Sequence, residues 1–186
     1  MAAARVAKIL RIDSDEPLIA GGMDKLVIVA RDRKTLQRWN LKSFKRELTV
    51  QLDDPAPVDG LVMGAASEGP VMLNTRSGSH FYDVATLKRV SYGLPERFWA
   101  SGSQYPPQVR ASLDGTAYPA RVPRISPNGI RLLPLHYQSP PLRSKHDTAG
   151  YLIPSPDGSL VLTASGVYSQ VLTPLNPERC KNLRCR

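Results

Sequence analysis

Histidines and carboxylates are the residues of this chain that could carry acid–base catalysis or bind a metal. The three histidines, His80, His136 and His146, are far apart in the sequence and lack the His-x-x-x-His spacing typical of a zinc site. His146 and Asp147 have the residue types of an acid–base pair, but the favoured interpretation is a polar strand end. A Ser/His/Asp triad is defined by geometry rather than by sequence order, so that alternative stays open at this point.

Three motifs that often mark an active site or a nucleotide site are absent from the sequence. The chain contains neither the Gly-x-Ser-x-Gly of a serine hydrolase nor the Gly-x-Gly-x-x-Gly of a dinucleotide-binding fold. It also has no Gly-Lys dipeptide, which a phosphate-binding P-loop requires. We therefore predict that the protein is not an enzyme and that it uses neither a cofactor nor a metal.

Asp114, Asp157 and Asn128 offer oxygen ligands of the kind that calcium prefers. Each of them directly precedes a glycine, however. Asp-Gly and Asn-Gly pairs favour tight turns, because both residue types tolerate a positive φ. We interpret all three as turn residues rather than metal ligands.

The two cysteines, Cys180 and Cys185, lie within the last seven residues. Their Cys-x4-Cys spacing has no histidine or further cysteine nearby, so a four-ligand zinc site cannot be built from them. A disulfide between them would close only a short loop and would add little stability. We expect a reduced pair, which favours a cytoplasmic location.

The net charge of +9 is concentrated in two segments. Residues 31–46 contain seven basic side chains and one acidic, and residues 178–186 contain four basic and one acidic. Such segments could attract nucleic acid or an anionic membrane, which leaves weak polyanion binding as an alternative function. The favoured interpretation is a solvated basic surface without a nucleic-acid partner, because few aromatic residues are available to stack on bases.

The sequence contains an internal repeat with a period of 43 residues, and this repeat indicates which elements position the single residues. Residues 39–46 and 82–89 share residue types at seven of eight positions. Each copy begins with an aromatic residue followed by Asn or Asp: Trp39-Asn40 and Tyr82-Asp83. Two turn motifs are also 43 residues apart: Ser112-Leu113-Asp114-Gly115 and Ser155-Pro156-Asp157-Gly158. Repeats of about 40–45 residues with such turns are typical of four-stranded propeller blades.

We therefore predict an all-β fold, a β-propeller-like array of about four four-stranded antiparallel blades that forms an incomplete ring. The propeller domain is placed at residues 1–176 and a basic tail at 177–186. The predicted blades lie near residues 17–52, 56–94, 105–147 and 149–176. Residues 5–12 are expected to form the outer strand of a preceding blade, and residues 169–173 the third strand of the last blade.

One alternative for residues 33–47 is a basic amphipathic helix, because apolar residues recur there at intervals of four. The equivalent copy at 79–94 has a strand-like sequence, so we favour strands in both. Trp39 and Tyr82 occupy equivalent positions, and we expect both to be buried between neighbouring blades. On that expectation Trp39→Ala would cost about 3–5 kcal/mol.

These motifs resemble those of WD-repeat-like β-propellers of bacteria. The resemblance is carried by residues 22–29 with 36–42 and by residues 155–168, and it extends over most of residues 5–176. The chain departs from the family pattern at Asn40, where Asp is usual, and at Leu172-Thr173, where an aromatic–Asp pair is expected. It also lacks the usual His of a Gly-His pair. The resemblance implies the blade fold and, often, a larger parent protein whose other parts carry the chemistry.

The predicted function is that of a non-catalytic propeller module, a platform that binds a protein partner or another domain of a parent chain. The candidate contact surface is the proline-rich insertion of the third blade, with four residues: Arg121, Arg124, Asn128 and Tyr137. The alternative is a propeller enzyme or small-ligand-binding protein with its site at the central channel. No membrane span is expected, since the longest apolar run is about one strand long.

Overall fold

A computed structural model describes residues 6, 8–54, 56–94, 107–121, 129–135, 143–145 and 150–175. These residues form four antiparallel sheets of consecutive strands and contain no helix. The all-β, propeller-like fold that the repeat predicts is therefore confirmed. Residues 33–34 lie in a turn, and residues 35–47 lie in two strands and the turn that joins them, so the helix alternative for this segment is wrong.

The first sheet contains four strands joined by short turns. They are β1 (Pro17–Gly21), β2 (Lys25–Ala30), β3 (Thr35–Asn40) and β4 (Arg46–Gln51). Residues 27–30 of β2 are all fully buried. A strand that is covered on both faces has a continuous apolar sequence rather than an alternating one, which explains the run of Val, Ile and Ala here.

The second sheet lies between two neighbours and is covered on both faces. Its strands are β5 (Val58–Val62), β6 (Val71–Thr75), β7 (Gly78–Tyr82) and β8 (Arg89–Val90). Leu73 and Tyr82 pack against apolar residues of the first sheet, whereas Met72 and Phe81 pack against the third. This alternation follows from the period of two along a strand.

The third sheet contributes a tyrosine that joins it to the second. Its strands are β9 (Gln108–Val109), β10 (Ala117–Arg121), β11 (Ile130–Pro134) and β12 (Arg143–Lys145). The ring of the fully buried Tyr118 packs edge-on against Phe81, with 5.2 Å between the ring centroids. Its hydroxyl donates a hydrogen bond of 2.8 Å to the carbonyl oxygen of Pro70.

The fourth sheet has three strands in the described residues. They are β13 (Leu152–Pro154), β14 (Leu160–Thr163) and β15 (Gly166–Ser169). Its third strand therefore begins three residues before the predicted span of 169–173. The reason is a two-residue hairpin in which Thr163 pairs with Gly166, whose φ of 135° favours glycine.

The first strands of the sheets lie on the inner side of the array. β1 contacts β5, β5 contacts β9, and β13 packs against β10 of the third sheet. Each sheet then continues outward in chain order, as propeller blades do. The inner strands and the turns that follow them are therefore brought together from different sheets.

The segment before β1, expected as an outer strand at 5–12, forms no strand at residues 8–12. The residues that follow it are attached to the turn between β2 and β3 instead. Asp13 forms an ion pair with Arg33, and the Ser14 hydroxyl donates to the carboxylate of Asp32. These polar contacts hold the segment at a turn rather than at the edge of a strand.

Candidate binding site at the inner side of the sheets

A cavity of about 600 Å³ lies where the second, third and fourth sheets meet. It is lined by the end of the segment that leaves β5, by β9 and the end of β10, and by the residues of β13 and its preceding turn. The side chains that characterise it are Met63, Arg110, Leu113, Arg121, Tyr151 and Ile153. Arg121 ends β10, and the other five lie in the inner strands or in the segments that adjoin them.

The turns after β9 and β13 form one rim of the cavity, and the Asp-Gly pairs explain their shape. In the first of these turns the Asp114 carboxylate accepts hydrogen bonds from the Ser112 hydroxyl at 2.6 Å and from the Thr116 N–H at 3.0 Å. Gly115 follows with a φ of 75°, which a residue with a Cβ rarely adopts. Leu113 is thereby held at the tip of the turn.

The turn after β13 repeats this geometry. Asp157 accepts from the Ser155 hydroxyl at 2.6 Å and from the Ser159 N–H and hydroxyl, and Gly158 has a φ of 67°. The hydrogen bond from Ser155, aided by those from Ser159, lowers the pKa of Asp157 to about 2. The carboxylates of both turns accept hydrogen bonds from residues of their own turn and thereby stabilise the main-chain conformation of that turn.

Hydrogen bonds between turns set the spacing of neighbouring sheets. The Ala66 N–H donates to the Leu113 carbonyl at 2.8 Å, and the Asp114 N–H donates to the Pro156 carbonyl at 3.1 Å. At the other end of the array the Met23 N–H donates to the Ser67 carbonyl at 3.0 Å. A chain of main-chain contacts therefore runs through the turns of all four sheets and fixes the rim of the cavity.

Three large apolar side chains of the cavity face solvent. Leu113 is 47% exposed, Tyr151 51% and Ile153 54%. Ile153 is exposed while the preceding Leu152 is buried, because adjacent residues of β13 point to opposite sides. Exposed apolar side chains gathered in a concave surface are typical of a binding site.

Two arginines supply the charge of the cavity. Arg121 pairs with Gln108 across β10 and β9, and its Nε donates to Gln108 Oε1 at 2.8 Å. The main chain of Arg110 is fixed by its N–H, which donates to the Pro119 carbonyl at 3.0 Å. Neither guanidinium forms an ion pair with a residue in the described part of the chain.

A second polar cluster surrounds His80 in the second sheet. Asp54 Oδ2 lies 3.2 Å from His80 Nε2 and accepts the Ser77 hydroxyl at 3.0 Å. In a catalytic triad the histidine lies between the serine and the carboxylate, whereas here the carboxylate lies between serine and histidine. Burial raises the pKa of Asp54, but bonds from the Ala56 N–H, Ser77 and His80 outweigh it and leave that pKa below its ordinary value. The cluster attaches the segment before β5 to the β6–β7 turn.

No three His, Cys, Asp or Glu side chains lie together as metal ligands in the described residues. The carboxylates of Asp114 and Asp157, weighed as calcium ligands, accept hydrogen bonds within their own turns. In the same part of the chain no helix could cross a membrane.

Of the four candidate contact residues, Arg121 lines the cavity. Arg124, Asn128 and Tyr137 lie outside the described residues. The same holds for His136, His146, Asp147 and both cysteines, Cys180 and Cys185. The contact surface predicted for the insertion therefore remains a prediction, and the structure adds only that its first residue, Arg121, lines the cavity.

The aromatic residues of the 43-residue repeat differ in burial. Tyr82 is 9% exposed and packs toward the first sheet, whereas Trp39 is only half-buried. Trp39 points away from the second sheet, because its neighbour Arg38 points toward that sheet and donates to the Val84 carbonyl. The expectation that Trp39 is buried between two blades is therefore wrong, while the cost of Trp39→Ala stays a prediction. Arg46 lies over the Trp39 ring, 5.9 Å from its centroid.

The Asn and Asp of the repeat begin the same turn. Asn40 Oδ1 accepts the N–H groups of Lys42 and Ser43, and Asp83 Oδ1 accepts the N–H of Thr86 at 2.7 Å. The Thr86 hydroxyl and then its N–H lower the pKa of Asp83, against the effect of burial. Both residues shape the connection to the fourth strand of their sheet.

The aromatic–Asp pair of the fourth sheet lies earlier than the sequence indicated. Tyr168-Ser169, rather than Leu172-Thr173, ends the third strand there, and the Ser169 carbonyl accepts the N–H of Leu172. Tyr168 is buried against the third sheet as Tyr82 is against the first. Because serine occupies the position of aspartate here, a sequence search for an aromatic residue followed by Asn or Asp does not find this strand end.

Four cavity residues were not singled out from the sequence: Arg110, Leu113, Tyr151 and Ile153. Only Leu113 belongs to a repeat motif, the turn Ser112-Leu113-Asp114-Gly115, and the position of all four depends on how successive sheets are stacked. The alternation of Leu152 and Ile153 could have indicated that Ile153 points to the opposite side from the core. No local pattern marks Arg110 or Tyr151, and the turn motif that contains Leu113 does not indicate that its side chain lines a cavity.

Comparisons with known proteins place the fold but no family. No family model and no curated protein matches the chain. Among solved structures it is similar to the β-propeller domain of Cps50 (Swd1) from Myceliophteria thermophila, with 14% identity and a TM-score of 0.58 over 88% of this chain and 52% of that one. It is also similar to the structure of KlAtg21 in complex with the coiled coil of AgAtg16, with 11% identity and a TM-score of 0.60 over 87% and 54%. The chain thus spans about half the length of the propellers it matches.

Proposed function

We propose that this chain is a non-catalytic propeller module that binds a protein partner at the cavity between β5, β9 and β13. The observation that carries the proposal is the group of three half-exposed apolar side chains in that cavity: Leu113, Tyr151 and Ile153. Burying them against a partner removes apolar surface from water, which is the main driving force of association.

The fold supports this proposal in two ways. Stacked sheets provide a rigid framework, and residues of different sheets meet at its inner side. One of the similar solved propellers is a complex with a coiled coil, so a protein partner is known for a propeller of this shape. The partner of this chain is either another protein or a further domain of a longer parent.

A pair of matched variants tests the proposed site. Ile153→Asp places a charge in the cavity, whereas Val171→Asp places the same charge on a residue of equal exposure, 53% against 54%, outside the residues that line it. Tagged wild type and both variants are used to capture partners from the native host, with quantitative mass spectrometry. We expect Ile153→Asp to lower recovery of a specific partner by about tenfold or more and Val171→Asp to leave it unchanged.

Equal recovery by all three proteins would refute the site. Unfolding midpoints within 2 °C of each other, on the order of 0.5 kcal/mol, would show that the variants are folded. A partner lost with both variants alike would point to solubility rather than to the cavity.

A small-molecule ligand is the second candidate for this cavity. Its volume of about 600 Å³ lies in the range of small-ligand sites, and it combines an apolar wall with two arginines. Native mass spectrometry of protein purified from its host distinguishes the two functions. A retained mass that Ile153→Asp removes favours a small ligand.

A further inference from the structure

We infer that the cavity takes an acidic, extended peptide segment with an apolar anchor, an inference that rests on the proposed function and specifies its partner. The apolar anchor would pack against Leu113, Tyr151 and Ile153. Carboxylates of the peptide next to the anchor would bind Arg110 and Arg121. Three observations lead to this chemistry: the unpaired charge, the fixed guanidinium and the strand edges.

The charge of the cavity is of one sign. Its described lining contains Arg110 and Arg121 but no Asp or Glu. Two other cavities have mixed charge: one is lined by Lys25 with acidic residues and the other by Lys88 and Arg89 with acidic residues. A cavity with cations alone favours an anionic ligand.

Two arginines of the first sheet form ion pairs with carboxylates of this chain, whereas the two cavity arginines do not in the described residues. Arg31 is 3.0 Å from Glu16 and Arg38 is 2.9 Å from Glu47. Arg110 and Arg121 have no such carboxylate in the described residues. A carboxylate from a partner would supply the charge that this chain does not.

Gln108 prepares Arg121 for that role. The amide oxygen of Gln108 accepts from Nε, and this bond leaves the donors on the two terminal nitrogens of the guanidinium unused. A guanidinium held at one edge can bind a carboxylate through its remaining donors, with part of the cost of ordering already met within the protein.

The two strands beside the cavity are sheet edges. β9 and β13 are the first strands of the third and fourth sheets, and each forms the inner edge of its sheet. An edge strand has main-chain donors and acceptors on one side that are not used by its own sheet. An extended peptide can bind such an edge, whereas a helix cannot.

A peptide fits this site better than a nucleic acid does. Binding a polynucleotide requires cations along a run of phosphates, and this cavity offers two between apolar side chains. The basic side chains of residues 31–46 lie on the first sheet, which contributes nothing to the lining. An oligonucleotide is therefore kept as a competing outcome of the test.

The test uses three fluorescein-labelled nonapeptides, each with a central phenylalanine and, on both sides of it, four glutamates, four glutamines or four lysines. Binding to the whole chain is measured by fluorescence anisotropy up to 1 mM protein at 50 mM and 300 mM NaCl. We expect the acidic peptide to bind about tenfold more tightly than the neutral one at low salt, with a smaller ratio at high salt.

Charge variants assign the effect to the cavity. Arg110→Gln and Arg121→Gln are each expected to weaken the acidic peptide about fivefold while leaving the neutral peptide unchanged. Lys42→Gln removes one charge from an exposed turn of the first sheet and is the matched control, with no expected change. Arg121→Lys keeps the charge without the planar group and should restore binding in part.

Each remaining result has a definite meaning. Equal binding of acidic and neutral peptides overturns the acidic specificity and leaves the proposed site standing. Failure of the acidic peptide to bind at 1 mM also overturns it, and the capture experiment with Ile153→Asp then decides the proposed function separately. A nine-nucleotide oligothymidylate that binds more tightly than the acidic peptide, and is weakened by the same two variants, overturns the peptide in favour of a nucleic acid.

Discussion

The single carboxylate in each Asp-Gly turn is the smallest unit that organises this molecule. Asp114 and Asp157 each accept a serine hydroxyl from two residues before them and a main-chain N–H from two residues after them. These bonds favour the charged form, because a carboxylate accepts hydrogen bonds better than a neutral acid. Turn formation therefore depends on ionisation.

Asp157→Asn should destabilise the protein at neutral pH and have less effect in acid. Bonds from Ser155 and then Ser159 lower the pKa of Asp157 from 3.8 to about 2 in the folded state. A carboxylate with a lowered pKa adds stability above the unfolded value, and this stability is lost as the pH falls from about 4 toward 2. Urea unfolding of wild type and variant at pH 6 and pH 2.5 measures the difference in the free energy of unfolding.

Asp15→Asn is the control for this prediction, since Asp15 is exposed and lies outside the strands. It should leave the free energy of unfolding unchanged at both pH values. A wild-type to Asp157→Asn difference as large at pH 2.5 as at pH 6 would contradict the mechanism.

Residue-level prediction succeeds where the cause is local. The sequence indicated turns at Asp114 and Asp157 because the residues that make them are within four positions of each other. It failed at Trp39, because burial depends on whether another sheet covers that face. It also missed the cavity, since the exposure of Tyr151 depends on the stacking of sheets that are far apart in sequence.

At the level of elements, the turns between the third and fourth strands of the first and second sheets have the same geometry, and in each a large side chain occurs at a positive φ. In the β3–β4 turn the Phe44 N–H donates to the Asn40 carbonyl at 2.8 Å, and in the β7–β8 turn the Leu87 N–H donates to the Asp83 carbonyl at 2.8 Å. Phe44 has a φ of 56° and Leu87 a φ of 53°. A positive φ at a large residue is unfavourable, so both turns are strained at this position.

Phe44→Gly should be more stable than Phe44→Ala by about 1 kcal/mol, because both remove the ring but only glycine accepts this φ without steric strain. Lys42, in the same turn, has no positive φ and serves as the matched control. There the order should be reversed, with Lys42→Ala more stable than Lys42→Gly. Thermal unfolding of the four variants measures both differences, and the same sign at both positions would contradict the strain.

The positions of strands were predictable where the adjoining turn has a recognisable sequence motif. The 43-residue repeat placed β3 and β7 because their final pairs, Trp39-Asn40 and Tyr82-Asp83, are similar in sequence. The third strand of the fourth sheet was misplaced because Ser169 does not resemble Asp. A second repeat, Thr-x-Ser-Gly at residues 75–78 and 163–166, marks the hairpins before both third strands, and in each the threonine hydroxyl bonds to the glycine carbonyl at 3.0 Å.

The whole molecule is held together by close approach of turns as well as by apolar cores. Successive sheets share three buried apolar clusters: Val29 and Leu73 belong to the first, Phe81 and Tyr118 to the second, and Leu132 and Val161 to the third. The hydrogen-bonded turns link these clusters along the inner side. The order of the sheets was predictable from the repeat, whereas the contacts between turns were not, because they join residues about 45 positions apart.

Gly64→Ala should disrupt the contact between the second and third sheets. A Cβ at Gly64 would lie 2.7 Å from the Leu113 carbonyl oxygen and also meet the main chain of Gly115, neither of which can rotate away. The neighbouring hydrogen bond from the Ala66 N–H to Leu113 would lengthen as the two turns separate. We expect a loss of about 1–3 kcal/mol in the free energy of unfolding, the usual range for overpacking.

Gly60→Ala separates this steric effect from the general effect of replacing glycine. Gly60 lies in β5, four residues earlier, and a Cβ there would meet only the Asn74 side chain, at 3.3 Å from Nδ2. At 3.3 Å the buried Asn74 amide needs to shift by only a few tenths of an ångström, so the change should cost less than about 0.5 kcal/mol. Urea unfolding measures the stability of both variants. Peptide binding at the cavity should weaken only in Gly64→Ala, because Leu113 both accepts the hydrogen bond between the two turns and lines the cavity. Equal stability of the two variants would show that the approach of the turns is not what couples the sheets.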